Sequence, residues 1–365
     1  SLEYKGYVTI DRMLDETSDY PDAAELRSLK SRLAKEDSRF DLINDFKGDT
    51  DWVREITRTP VSQTHYVSLQ GGNARTNYLA SVTYNDKQGI YKGSFDESLT
   101  AKLSINHAMF DDRLKIALNV SNKIVTQGIV PDDLYMQALS RNPTIPVYNA
   151  DGSYNWDMNG FLRVNSWDTQ TNEVLNPVAL ALEIDDVREK INILGNAYVS
   201  YEFIKGLEYK FTAGGDYYSY IRNYYRPSYI PLRGLKYLDA PSDPKAQNNM
   251  QSYFHWTISN QLSFNRTFGD HSVNAVAVYE AEKQSIQTSQ IVGTGTAGDD
   301  KIRTTKGKTI DLAETYNNKY AYTFASWLVR AQYSYKGRYM VSASIRGDGS
   351  SRFAPNTRWG YFPAA

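Results

Sequence analysis

Cysteine is absent from all 365 residues, which removes disulfides, thiol nucleophiles and cysteine-ligated metals together. Such a chain suits the cytoplasm and the exterior equally. No run of about 18 apolar residues occurs, so no helix is expected to cross a membrane. Charge of one sign is missing too. The 41 basic and 42 acidic residues leave a formal charge of −1, without the basic excess that would point to a nucleic-acid partner. Histidine is scarce: His65, His107, His255 and His271 lie far apart with no i, i+4 pair, so no zinc site is expected. The opening residues Ser1-Leu2-Glu3-Tyr4-Lys5 lack the basic start and apolar core of a secretory leader. That leaves either a cytoplasmic protein or a processed or shortened chain.

What the chain has is tyrosine, 29 residues against 13 Phe and 6 Trp, and a period of two. Tyrosine suits half-buried strands and wet-to-apolar boundaries, since one end of its ring is apolar and the other carries a hydroxyl. Ile191, Ile193, Ala197, Val199, Tyr201 and Phe203 alternate with Asn192, Asn196, Tyr198, Ser200 and Glu202, Leu194 being the apolar exception. After Lys205-Gly206 the pattern resumes at Leu207, Tyr209, Phe211 and Ala213, which reads as a hairpin. Residues 114–121, 254–264, 327–335 and 339–346 repeat the arrangement.

Two architectures share such alternation: a soluble antiparallel sandwich, including a carbohydrate-binding one, and a transmembrane barrel. Strand length separates them. Soluble strands usually run about five or six residues, whereas several here sustain the pattern for about 12 to 16, enough to cross a bilayer when tilted. Connection length agrees. Strands expected at 61–70, 76–85, 98–109, 113–127, 188–203, 207–222, 250–266, 271–288, 320–335 and 338–348 are joined alternately by short and long links. The short ones lie near 71–73, 111–112, 205–206, 268–270 and 336–337; the long ones near 86–97, 128–187, 223–249, 289–319 and from 349 onward. Barrels of the outer membrane have this short-turn rim and long-loop rim. Residues 4–10 supply a further strand, and Asp22 and Glu25 open a helix with capping-box spacing, continued by Leu26, Leu29 and Leu33. The expectation is an all-β, antiparallel barrel with about 11 long strands. An open sheet of that size leaves edge N–H and C=O groups that lipid cannot satisfy, so the chain is expected to be part of a larger barrel.

Residues 51–60 (DWVREITRTP), 67–73 (VSLQGGN), Thr76-Asn77-Tyr78 and 84–90 (YNDKQGI) resemble the start of the barrel in SusC/RagA-family TonB-dependent transporters. Residues 141–148 (RNPTIPVY) with Asp151-Gly152-Ser153-Tyr154, and 348–363 (DGSSRFAPNTRWGYFP), extend the resemblance over essentially the whole chain. It implies an importer of oligosaccharides or peptides in the Gram-negative outer membrane, with a 22-stranded barrel around a plug. It further implies a SusD-like surface lipoprotein over the mouth, energy from TonB–ExbB–ExbD, and no catalysis or cofactor. Residues 1–365 would be the N-terminal part of the barrel domain, in contact with membrane lipid, with plug, TonB box and remaining strands outside the sequence. A passive porin-like barrel is the alternative.

Candidate sites fall in the long links. Tyr148, Tyr154, Trp156, Phe161 and Trp167 lie in the longest, and Tyr224, Tyr225, Arg226 and Tyr229 in the next. Aromatic faces beside hydrogen-bonding groups suit sugars and peptides, so Tyr148, Tyr154, Trp156, Trp167, Tyr224, Tyr225 and Arg226 are candidate contacts to substrate or lid; the competing role is packing of the loops on one another. Tyr333, Tyr335 and Tyr339, which flank a short turn, suit an interfacial girdle. Asp132-Asp133 and Asp185-Asp186 read as solvated acids rather than metal ligands or a hydrolase pair. Residues 293–298 (GTGTAG) lack the Gly-Lys-Ser/Thr ending of a phosphate loop and read as a loop tip. Glu202, Lys210, Asp216, Glu280, Arg330 and Arg346 are expected on the inner face, toward water or a plug.

Overall fold

The computed structural model describes residues 1–14, 20–36, 45–156, 175–231, 242–295 and 300–365. They form one antiparallel sheet whose strands follow chain order. β1 (Leu2–Ile10), β2 (Val61–Gly72), β3 (Thr76–Gln88), β4 (Phe95–Met109), β5 (Leu114–Gly128), β6 (Asp185–Ile204) and β7 (Leu207–Arg226) make the first part. β8 (Lys245–Phe268), β9 (His271–Thr294), β11 (Tyr316–Tyr335), β12 (Tyr339–Ser350) and β13 (Trp359–Ala364) continue it, while the short β10 (Thr309–Ile310) pairs with β9 alone. The described strands form a single sheet, so the sandwich falls away.

Thirteen strands replace the expected eleven. β10 and β13 are the additions, and most others run further than alternation suggested. β8 and β9 reach 24 residues each. At about 3.3 Å per residue and a tilt near 40°, that is about twice the hydrocarbon thickness. Their outer ends therefore stand clear of a bilayer, where lipid imposes no alternation and Ala246 and Val292 are buried instead. The link expected at 86–97 shrinks to 89–94, because Asp86, Lys87 and Gln88 pair with Glu97, Asp96 and Phe95.

The register holds one set of faces around the sheet. Val67, Val82, Ala101 and Asn122 are successive partners, as are Leu69, Ala80, Leu103 and Val120. This outward face carries exposed Val67, Leu69, Leu103, Leu118, Val199, Leu262 and Val329. The other face carries Ser68, Ser81, Lys102, Lys123, Lys190 and Asp216. Tight turns lie where glycine was read. At Gly206 φ is +87°, and an added Cβ would come 2.2 Å from the Asn265 carbonyl oxygen, so no larger residue fits. Tyr333 and Tyr339 stand exposed by a short turn, with the His271 ring 5.9 Å from that of Tyr333.

The dry core lies beside the sheet rather than within it. α1 (Ala23–Leu33) has the capping box read from Asp22 and Glu25. α2 (Trp52–Ile56), α3 (Leu134–Ser140) and α4 (Pro177–Glu183) bury Trp52, Ile56, Leu134, Ala138, Val178 and Leu180 with Ile145, Leu175 and Ile230. All of these come from the long links, so the core caps one rim.

Candidate functional site

The cap begins with the RNPT stretch. Arg141 lies with its guanidinium carbon 4.9 Å from the centre of a Trp52 ring and donates to the Asn155 carbonyl at 2.7 Å. The Trp52 indole N–H donates to the Asn142 carbonyl at 3.0 Å, and the Asn142 side chain accepts from the Thr144 amide at 2.8 Å. Asn176 caps α4 through Val178 and Ala179, and its own amide donates to the Val147 carbonyl at 2.8 Å. Buried polar groups need such partners, and here they tie residues 141–147 to two helices.

On this frame a small hairpin lifts an aromatic row. Tyr148 and Tyr154 face each other across a β-bridge, their ring centroids 5.2 Å apart, and the Trp156 ring follows at 6.1 Å from Tyr154. Gly152 makes the turn with φ +85°. Tyr148 is 48% exposed, while Tyr154 and Trp156 are half-buried. The Tyr154 hydroxyl donates to Glu183 at 3.0 Å, and the Tyr229 hydroxyl donates to the other oxygen of the same carboxylate at 2.5 Å. Burial first, and then the neighbouring Glu183 charge, push both phenols well above their ordinary value. They therefore remain donors. Arg303 joins at 3.5 Å from Glu183 and 3.1 Å from Asp185.

A second cluster sits beside it. Asp300 accepts from the Tyr225 hydroxyl at 2.7 Å, the Ser228 amide at 2.8 Å and the Ser228 hydroxyl at 2.6 Å. Burial alone would raise the Asp300 carboxyl; the bonds from Ser228 and Tyr225 outweigh it and hold the group below the usual carboxylate range. Arg226 donates to the Ile230 carbonyl and the Ser242 hydroxyl, both at 2.6 Å, and to the Asp243 carbonyl at 2.7 Å.

The candidate residues thus separate. Tyr148, Tyr154 and Trp156 form one row. Tyr224, Tyr225 and Arg226 are the last residues of β7 rather than loop residues, because that strand continues past 222. Tyr225 and Arg226 are buried at 1% and 7% exposure and fasten loops together, whereas Tyr224 is half-buried with the Arg222 guanidinium carbon 5.2 Å from its ring centre. Phe161 and Trp167 lie outside the described residues. Asp186 is not a solvated acid: it is buried and paired with Arg222 at 2.7 Å and Arg188 at 3.1 Å. Gly293 and Thr294 belong to β9, and 296–298 lie outside the described residues. Glu183, Asp300 and Arg303 were not read as site residues; Glu183 lies in one link and Asp300 and Arg303 in another, and only the fold brings the two links together. Among the described residues no group of three His, Asp or Glu could hold a metal.

The fold and cap can be set beside known proteins. No family profile matches the chain. It is 28% identical over 357 residues to the TonB-dependent receptor SusC of Bacteroides thetaiotaomicron, covering 87% of this chain and 32% of that protein. The chain resembles TonB-dependent receptors of the SusC/RagA type. The TonB-dependent receptor P3 of Formosa agariphila is 26% identical over 337 residues, covering 87% of this chain and 31% of the relative. The chain therefore spans about a third of the length of these curated relatives. Among solved structures, the RagAB peptide transporter superposes with a TM-score of 0.69 at 18% identity, covering 99% of this chain and 43% of that one. The RagAB importer in its open-open state gives 0.70. At that identity the likeness is one of fold: the sheet follows the wall of an outer-membrane transporter barrel. The localisation that goes with this resemblance is the Gram-negative outer membrane.

Proposed function

We propose that the chain is the N-terminal part of the barrel wall of a TonB-dependent outer-membrane importer, with its long-link rim outside the cell. The observation that carries this reading is the union of two features: a tall wall with polar and apolar faces, and a water-excluding cap that holds an aromatic row at one rim. The cargo is an oligosaccharide or a peptide, held by Tyr148, Tyr154 and Trp156 together with Tyr224, under a SusD-like lipoprotein lid that shares these contacts. Trp167, from the same link, is part of the proposed set. Energy comes from TonB–ExbB–ExbD, engaged through a region outside residues 1–365. The named relatives are receptors and importers, which supports transport rather than catalysis.

Ring faces stacked on sugars or peptide groups, together with hydrogen bonds from nearby polar groups, give a ligand affinity that depends on each ring. Calorimetric titration of the full-length transporter with a panel of neutral oligosaccharides and short peptides would identify the cargo class. Tyr148→Ala and Trp156→Ala should each weaken that binding by about tenfold, and uptake should stop in a strain lacking TonB. Unchanged affinity in both variants would remove the rim assignment; uptake without TonB would favour a passive pore.

A further inference from the structure

The outward face of β9 is apolar from Val273 through Ala281 and turns polar at Lys283, Ser285 and Gln287. β11 changes in the same row, where Thr323 partners Lys283 directly beyond Ala325. At about 3.3 Å per residue and a tilt near 40°, the apolar stretch rises roughly 20 Å, close to the apolar band of such barrels. The Lys283–Thr323 row therefore lies where acyl chains give way to headgroups, on the rim of the long links.

A slot of about 270 Å³ opens at this level. Its floor is Ala281, Ala325 and Gly349, three register neighbours, and its walls are Trp256 and Trp359. The Trp359 indole lies flat over Gly349, where an added Cβ would come within 2.7 Å of the ring. Thr323 closes the outer end, and Lys283 stands in register between Trp256 and Thr323. Lys283 is exposed and pairs with no acid among the described residues. Arg358 lines the slot as well; its Nε donates to the Phe353 carbonyl at 3.3 Å, and its terminal nitrogens have no partner among the described residues. The one acid at the slot, Glu282, sits 3.4 Å from His255 and belongs to the inner face.

We propose that this slot binds a phosphorylated lipid of the outer leaflet. One acyl chain lies across Ala281, Ala325 and Gly349 between the two indoles, and the phosphate is taken by Lys283 and Arg358. Small floor residues leave room for the chain, and tryptophan belongs at this depth. Two cations beside a slot whose one lining acid, Glu282, is engaged with His255 suit an anionic oxygen cluster. A neutral headgroup would leave both charges without a partner.

The proposal rests on the outward face lying in a bilayer, and the test separates the two. Full-length transporter in detergent is incubated with equal amounts of dioleoylphosphatidylglycerol and dioleoylphosphatidylcholine, and bound lipid is counted by native mass spectrometry. The wild type should retain the phosphoglycerol lipid about fivefold over the choline lipid, and K283Q/R358Q should bring the ratio near one. Lys319→Gln, which removes an outward cation further from the slot, should leave it unchanged. A ratio near one in the wild type, or a preference that survives the double substitution, overturns the proposal. Heat-modifiable gel migration reports barrel assembly independently, so loss of the barrel is not mistaken for loss of the site. If the double variant does not assemble, K283Q and R358Q singly must each lower the ratio.

Discussion

At the scale of residues, the cap depends on a few buried polar groups with complete sets of partners. Replacing Arg226 by Met would remove the donor to the Asp243 carbonyl and one of the two donors to the Ile230 carbonyl, at a cost of about 2–4 kcal/mol; limited proteolysis near 227–244 should accelerate accordingly. Asp300→Ala would remove the carboxylate to which the buried Tyr225 hydroxyl donates, costing about 1–3 kcal/mol. Acid should act on the same group. A carboxyl whose folded pKa lies below its ordinary value of about 3.9 stabilises the fold above that value and loses the contribution as pH falls through the folded one. The cap should therefore loosen below about pH 4, and Asp300→Asn should flatten that dependence in a thermal-shift series. These roles were only half legible. Tyr225 and Arg226 announced themselves by residue type, but burial decides between gripping a ligand and gripping a neighbouring loop, and burial depends on chain segments far away in sequence. Asp300 gave no local signal at all.

At the scale of elements, the strands were legible because lipid on one side and water on the other impose a period of two. The reading failed where that contrast ends. Beyond the bilayer no lipid contrasts with water, alternation lapses, and the ladders continue unseen to Lys245 and Thr294. α4 carried a readable start, Asn176 before Pro177, but its apolar run has no 3.6-residue stripe because Pro177 through Ala181 are all buried. α3 has no side-chain cap. Substitutions should follow the faces. A lysine in place of Ala277, on the outward face in mid-band, should cost about 2–4 kcal/mol. The same change at Ser342, on the inner face of β12, should cost little. Chemical unfolding of the full-length barrel from vesicles would compare them, and equal costs would contradict the assignment of faces.

At the scale of the whole molecule, β1 and β13 are the two edges of the sheet, and each pairs on one side only among the described residues. Edge amides and carbonyls facing lipid are far costlier than the same groups facing water. Residues 1–365 expressed alone and mixed with vesicles should consequently associate through these edges rather than insert as a stable, heat-modifiable species; monomeric insertion would show that the edges find each other. The resemblance to SusC-type receptors was readable from short motifs because residues such as Trp52, Arg141 and Asn142 hold the cap frame through specific polar and ring contacts.

The placement of the dry core has a consequence for how the protein comes apart. The wall is held by a ladder of backbone bonds whose faces contact lipid and water, whereas the cluster around Trp52, Ile56 and Leu180 is held by the exclusion of water, as in a small soluble domain. Two different solvents thus stabilise one chain. Mild urea, which weakens hydrophobic packing in water while leaving a bilayer intact, would melt the mouth first, leaving an upright and still-inserted wall with its loops unfastened.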